Sequence, residues 1–159
     1  MQGKSKMHEE QLDSPGVKVP PPLVYAGALA LGFALERFFP LRRRKARVAG
    51  AALLVTGMAL GAWARILFLK RRTTVLPFRP ASALIDEGPF RISRNPIYIA
   101  FAAIYAGASL MRRSTWPLLL LPGVVLIIDQ TVIDREEAYL ERRFGEEYLA
   151  YKAKVRRWL

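Results

Sequence analysis

Four apolar runs, at about residues 21 to 39, 47 to 69, 96 to 111 and 115 to 133, alternate with short blocks of arginine and lysine. This segregation restricts the chain more than any single motif in it. At a rise of about 1.5 Å per residue, the first two runs are long enough to cross a hydrocarbon core of about 30 Å. Glu36, Arg37 and Arg65 lie close enough to the run ends to snorkel. The third run is short: it crosses only with bilayer thinning or, joined to the fourth through "MRRST", forms half of a tight hairpin. The expected fold is therefore an all-α integral membrane protein of about four transmembrane helices, with further helices at the C-terminal end on the cytosolic side. Residues 1 to 20 read as a flexible tail and 21 to 159 as a single membrane domain.

Composition sharpens that reading. The chain is 52% hydrophobic yet carries a formal net charge of +12. A nucleic-acid-binding domain intersperses its charge over a helix face or a sheet and has no need of apolar stretches about twenty residues long, so that class is set aside. There is no cysteine, and the lone histidine, His8, sits in the polar tail, so no metal site is expected. No apolar stretch precedes residue 21, which fits poorly with a cleaved signal peptide. With four crossings, sixteen lysines and arginines fall on the side of the termini and seven on the other. That bias favours both termini in the cytoplasm, although the five charges of "RRRKAR" in one short loop pull the other way.

Local signals mark the helix ends. In "SRNPIYIA" Pro96 suits the first helical position and Asn95 or Ser93 can cap it, which leaves Arg94 without a local reason to stand at the membrane threshold. Ser114 or Thr115 followed by Pro117 reads as another cap, and Pro122 as a kink in the fourth helix. "ALALG" and the pair Gly57 and Gly61 supply small residues for close helix packing.

Two polar stretches could carry chemistry. Residues 73 to 98, with "EGPF" as a turn, read as a shaped connector rather than periodic helix. Residues 134 to 159 read as helix broken at Gly145 in a left-handed C-cap. Structural readings stand beside these: Asp134 and Glu137 fit a capping box, Arg142 with Glu146 and Arg143 with Glu147 fit surface pairs, and the basic end could rest on anionic headgroups. Asp129, Ile133, Glu136 or Glu137, and Leu140 share one helical stripe, which puts the Asp129 carboxylate within the membrane's reach. There it needs a protein partner or a function. An ion pair with an arginine such as Arg65 is the structural alternative.

"GPFRISRNPIY", followed some forty residues later by "REEAYLERRFGEEYLAYKAKVRRWL", resembles the isoprenylcysteine carboxyl methyltransferase and phospholipid methyltransferase superfamily of integral membrane enzymes, over roughly residues 73 to 159. The resemblance implies an all-helical enzyme that binds S-adenosylmethionine in a cytosolic pocket built from the C-terminal half. It also implies methylation of a lipophilic acceptor that arrives from the bilayer. The family's Arg-His-Pro-x-Tyr element falls on Arg94, Asn95, Pro96 and Tyr98, and its Glu-Glu pair on Glu136 and Glu137. Asparagine replaces histidine, so a titrating base is missing at that position.

Under this resemblance Glu136 and Glu137 suit the cofactor's ammonium or ribose hydroxyls, while Arg94 and the free amides of a helix N-terminus suit its carboxylate. A carboxylate acceptor needs no base; for an amine acceptor, Asp129, Glu136 and Tyr98 are the nearby groups able to take a proton. Prenyl-cysteine carboxylates, phospholipid amines and other lipophilic acids or phenols remain open as acceptors. The alternatives are an NADPH-dependent sterol-type reductase, which shares a related C-terminal architecture, and a small four-helix transporter using Asp129. No Gly-x-Gly-x-x-Gly follows a strand, which excludes a Rossmann site.

Overall fold

Proline stands in the first two positions of three helices, where its fixed φ suits the helix and its missing N–H costs nothing. The computed structural model describes residues 15–17, 19–41, 46–72 and 81–159. Its helices are α1 (Pro21–Phe38), α2 (Arg47–Lys70), α3 (Pro96–Met111), α4 (Trp116–Ile128), α5 (Asp134–Phe144) and α6 (Glu146–Lys154). A 3-10 turn covers Gly88–Arg91 and a π-turn, Asp129–Ile133, joins α4 to α5. Among the described residues there is no strand, as expected for an all-helical chain.

Two of these helices are long and apolar enough to cross a membrane: α2, and the continuous stretch Trp116–Phe144 formed by α4, the π-turn and α5. α3 is a shorter apolar helix. Large apolar side chains on α2 point outward, among them Val48, Val55, Met58, Trp63, Ile66 and Leu69. Such a belt is unfavourable in water and favourable against lipid tails.

α3 packs chiefly along α2, and α4 along α1. The hairpin expected between the third and fourth runs is thus a tight turn, with Arg113 at φ +54, whose two arms find their main partners elsewhere. Close backbone approach explains the pairing. A Cβ on Gly57 would lie 2.9 Å from the Ala100 carbonyl oxygen, and one on Gly107 would lie 2.6 Å from the Leu54 nitrogen. Gly32, the last residue of "ALALG", meets Pro117 at the α1–α4 crossing in the same way. Gly57 and "ALALG" act as their small-residue spacing suggests, and Gly107, four residues after Ala103, makes a contact as close as that of Gly32.

The cap of α4 comes from another helix. The Glu36 carboxylate near the end of α1 accepts from the Thr115 N–H at 2.6 Å, the Trp116 N–H at 3.2 Å and the Ser114 hydroxyl at 3.1 Å. Its other oxygen accepts the Leu41 N–H at 2.8 Å. Neither Ser114 nor Thr115 supplies the expected side-chain cap, because a carboxylate at a helix N-terminus is the stronger acceptor. α4 runs on through Pro122, and the change in hydrogen bonding falls later, where the Asp134 N–H bonds the Asp129 carbonyl five residues back.

Part of the expected tail is packed. Val17 is buried with Tyr25 and Ile128, and Arg135 donates to the Gly16 carbonyl at 2.9 Å. Residues 1–14 and 18, with Arg42, Arg43, Arg44 and Lys45 of the basic loop and residues 73–80 of the connector, lie outside the described residues. The rest of that connector is shaped as expected: Gly88 takes φ +58 within "EGPF" and lies against Leu67 and Trp63 of α2. Gly145 also takes a positive φ, +52, but with ψ −126, outside the left-handed helical region.

Replacing Gly107 by alanine forces the α2 and α3 backbones apart and costs about 1–3 kcal/mol, seen as a lower melting temperature in detergent. Gly123→Ala, where the added methyl meets nothing within 4 Å, leaves it unchanged. Glu36→Ala removes the α4 cap and costs about 1–2 kcal/mol in the same assay.

Candidate active site

Backbone geometry at the start of α3 sends the "SRNP" side chains toward the C-terminal residues. Asn95 occupies the N-cap position, yet its side-chain amide donates to the Arg157 carbonyl at 3.1 Å instead of capping α3. Ser93 donates its hydroxyl to the same carbonyl at 3.0 Å and accepts the Asn95 N–H at 3.0 Å. Pro96 takes the first helical position, as its ring predicts.

Arg94 is engaged inside the protein. Its Nε and Nη2 donate to Glu137 Oε1 at 3.2 and 2.9 Å, and its Nη1 donates to the carbonyls of Lys152 at 3.1 Å and Val155 at 2.9 Å. Both side chains are nearly buried, at 10% exposure for Arg94 and 6% for Glu137. Arg157 binds the other side of the same carboxylate, with Nη2 to Oε2 at 2.8 Å. It also reaches Asp134 at 2.8 Å and Asp129 at 3.3 Å. Hydrogen bonding to Glu137 raises the Arg157 guanidinium still further above the ordinary arginine range, so it stays charged.

Three expectations change here. Glu137 is the buried centre of a charge cluster and not a member of a capping box with Asp134. Asp129 pairs with Arg157, and its Oδ1 accepts the Trp158 indole N–H at 3.0 Å, so Arg65 is not its partner. No ion pair forms between Arg142 and Glu146 or between Arg143 and Glu147 among the described residues, because Gly145 breaks the helix that would align them.

Glu136 stands apart from this cluster. One carboxylate oxygen accepts the Tyr98 hydroxyl at 2.8 Å, and the other has no hydrogen-bond partner among the described residues. The entrance of α3 and the acidic end of the long helix therefore meet, and a cavity of about 590 Å³ lies between them. That volume is within the range of about 300–1,000 Å³ usual for small-molecule sites.

Arg94, Asn95, Pro96, Tyr98, Glu136 and Glu137 all line it, while Asp129 does not. Tyr139, Tyr148 and Tyr151 add aromatic wall that periodicity did not single out. The Tyr139 hydroxyl accepts the Ala81 N–H at 2.9 Å, and Tyr151 donates to the Phe90 carbonyl at 2.7 Å. The Tyr148 hydroxyl is buried with no hydrogen-bond partner among the described residues, and burial raises its pKa, so it remains a protonated donor. Arg157 and Trp158 were missed as well; their only sequence trace is a basic tail following an acid-rich tract.

A family model described as phospholipid methyltransferase matches residues 46–147, well over half of the chain. A segment of 35 residues is 63% identical to an "Uncharacterized protein" of Haemophilus influenzae (strain ATCC 51907 / DSM 11121 / KW20 / Rd), covering 22% of this chain and 56% of that relative. The chain thus spans little more than half the length of the curated relative it matches. No solved structure matches it. The family match runs from the start of α2 into α6 and takes in both walls of the cavity, and the chain belongs to the phospholipid methyltransferase family.

Proposed function

We propose that the chain is a membrane enzyme that transfers a methyl group from S-adenosylmethionine to a lipophilic acceptor, with its site and both termini on the cytoplasmic side. The observation that carries this reading is the division of labour between two adjacent glutamates, Glu137 consumed by two arginines and Glu136 left with an open oxygen on the cavity wall.

The residues present fit the cofactor. Glu136 offers a carboxylate to a cationic group or to ribose hydroxyls, and the unpartnered Tyr148 hydroxyl offers a buried donor. The rings of Tyr139, Tyr151 and Phe90 form apolar wall suited to a purine. Bound S-adenosylmethionine supplies an electrophilic methyl carbon next to a sulfonium.

The chain's own tasks are then alignment and exclusion of water. Tyr98 holds Glu136 in one orientation through its hydroxyl. Arg94 and Arg157 brace Glu137 and so fix the helix turn that carries Glu136; Arg94, with four of its donor contacts already made, acts by positioning and not by holding a free anion. For an amine acceptor, Glu136 is the carboxylate available to take the proton, since Asp129 is bound by Arg157 and Trp158 away from the cavity. For a carboxylate acceptor no base is needed.

Calorimetric titration of the detergent-solubilised chain with S-adenosylhomocysteine tests the reading. The native chain binds with a dissociation constant of micromolar order and gives no heat with NADPH. Glu136→Gln keeps the native melting temperature and binds about tenfold more weakly or worse, as expected for loss of a charged hydrogen bond. Equal affinity in the variant and the native chain sinks the assignment. Arg94→Ala lowers stability by about 3 kcal/mol, because a nearly buried carboxylate loses one of its two partners, and this appears as a lower melting temperature.

A further inference from the structure

The charged groups on the cavity wall do not all neutralise one another. Arg94 and Glu137 pair, and Glu136 faces the cofactor in the reading above. Arg65 remains: it lines the cavity from α2 and has neither an ion pair nor a hydrogen bond among the described residues. The cavity lining includes the apolar side chains Phe68 and Leu69 from the same helix and Ile97 and Phe101 from α3.

The cavity lining also includes exposed residues. Pro22, Arg65 and Leu69 each line it and are exposed, which puts the start of α1 and the last turns of α2 at its rim among the described residues. Along the same stretch α2 exposes Trp63, Ile66 and Leu69 at 49%, 47% and 65%, a surface suited to hydrocarbon. A guanidinium at such a boundary is stabilised most by an anion that an apolar chain holds at the same depth.

We propose that Arg65 is the specificity residue for the acceptor: it binds the acid group, carboxylate or phosphate, of an amphiphile whose chain stays in lipid along the outer face of α2. The inference rests on the methyltransferase reading and names the acceptor class for that site. Glu136 and Arg65 then divide the cavity by charge, the cofactor's cation on one side and the acceptor's anion on the other, so that each ligand is disfavoured in the other's place.

The test measures retention of radiolabelled oleate, oleyl phosphate and oleyl alcohol by the purified full chain in neutral maltoside micelles. At least one acid binds about tenfold tighter than the alcohol, and a large excess of inorganic phosphate does not displace it. The better of the two acids identifies a carboxylate or a phosphate as the preferred group. Arg65→Gln abolishes the preference and Arg65→Lys keeps most of it. An arginine that merely snorkels to water leaves the preference unmoved by either change. Equal binding of all three probes by the native chain, displacement by inorganic phosphate, or a preference that survives Arg65→Gln overturns the proposal. S-adenosylhomocysteine is titrated in parallel: a native chain that prefers the acids but does not bind it keeps the acid site and loses the cofactor assignment.

Discussion

Everything at the site depends on one buried carboxylate held between two guanidinium groups. Removing a glutamate from water is costly, and Glu137 is tolerated at 6% exposure because Arg94 and Arg157 both charge-assist its oxygens. Those three residues come from three separate segments: the approach to α3, the body of α5 and the stretch after α6. Their meeting closes the C-terminal residues over the entrance of α3, where the Arg156 carbonyl accepts the Arg94 N–H at 2.9 Å and the Arg157 carbonyl accepts from Ser93 and Asn95. Both Glu137 oxygens are thereby engaged, while its neighbour Glu136 bonds Tyr98 through one oxygen and has no hydrogen-bond partner for the other among the described residues.

The rest of the fold separates polar from apolar work. Between the ends the helices touch through glycines at 32, 50, 57 and 107, where backbone meets backbone, and they leave their large side chains outside. At the ends, hydrogen bonds reach far along the chain, as when Glu36 closes the first turn of α4. A bilayer favours that distribution, since lipid tails give no hydrophobic push between helices and unpaired amides are costly only where water is absent.

How far the sequence disclosed this follows from the range of each interaction. Helix starts at prolines, the turn at Gly88 and the break at Gly145 depend on a few neighbouring residues and were readable. So was the meeting of the α3 entrance with the acidic end of the long helix, though through resemblance of two motifs and not through periodicity. The pairing of Arg94 with Glu137, 43 positions apart, has no local signature. Read locally, Arg94 looks like a free anion receptor and Glu137 like a helix cap, and only the arrival of residues 152–157 assigns each its partner. The Glu36 cap, 79 positions from Thr115, escaped for the same reason, and local capping rules pointed to Ser114 or Thr115 in its stead.

The π-turn at Asp129–Ile133 has a consequence for the phase of the helix. An α-helix advances about 100° per residue, so residues eight apart do not face the same way, while residues seven apart nearly do. By absorbing one residue, the wide turn gives Asp129 and Glu137 the spacing of two whole turns, and one guanidinium, that of Arg157, reaches both. Regular winding through that stretch would swing the downstream segment by roughly a quarter of a revolution, unseating Glu137 and turning Glu136 from its tyrosine. Excision of a single residue there would tighten the coil and keep every later face aligned, so this is a position where the chain can shorten without losing its site.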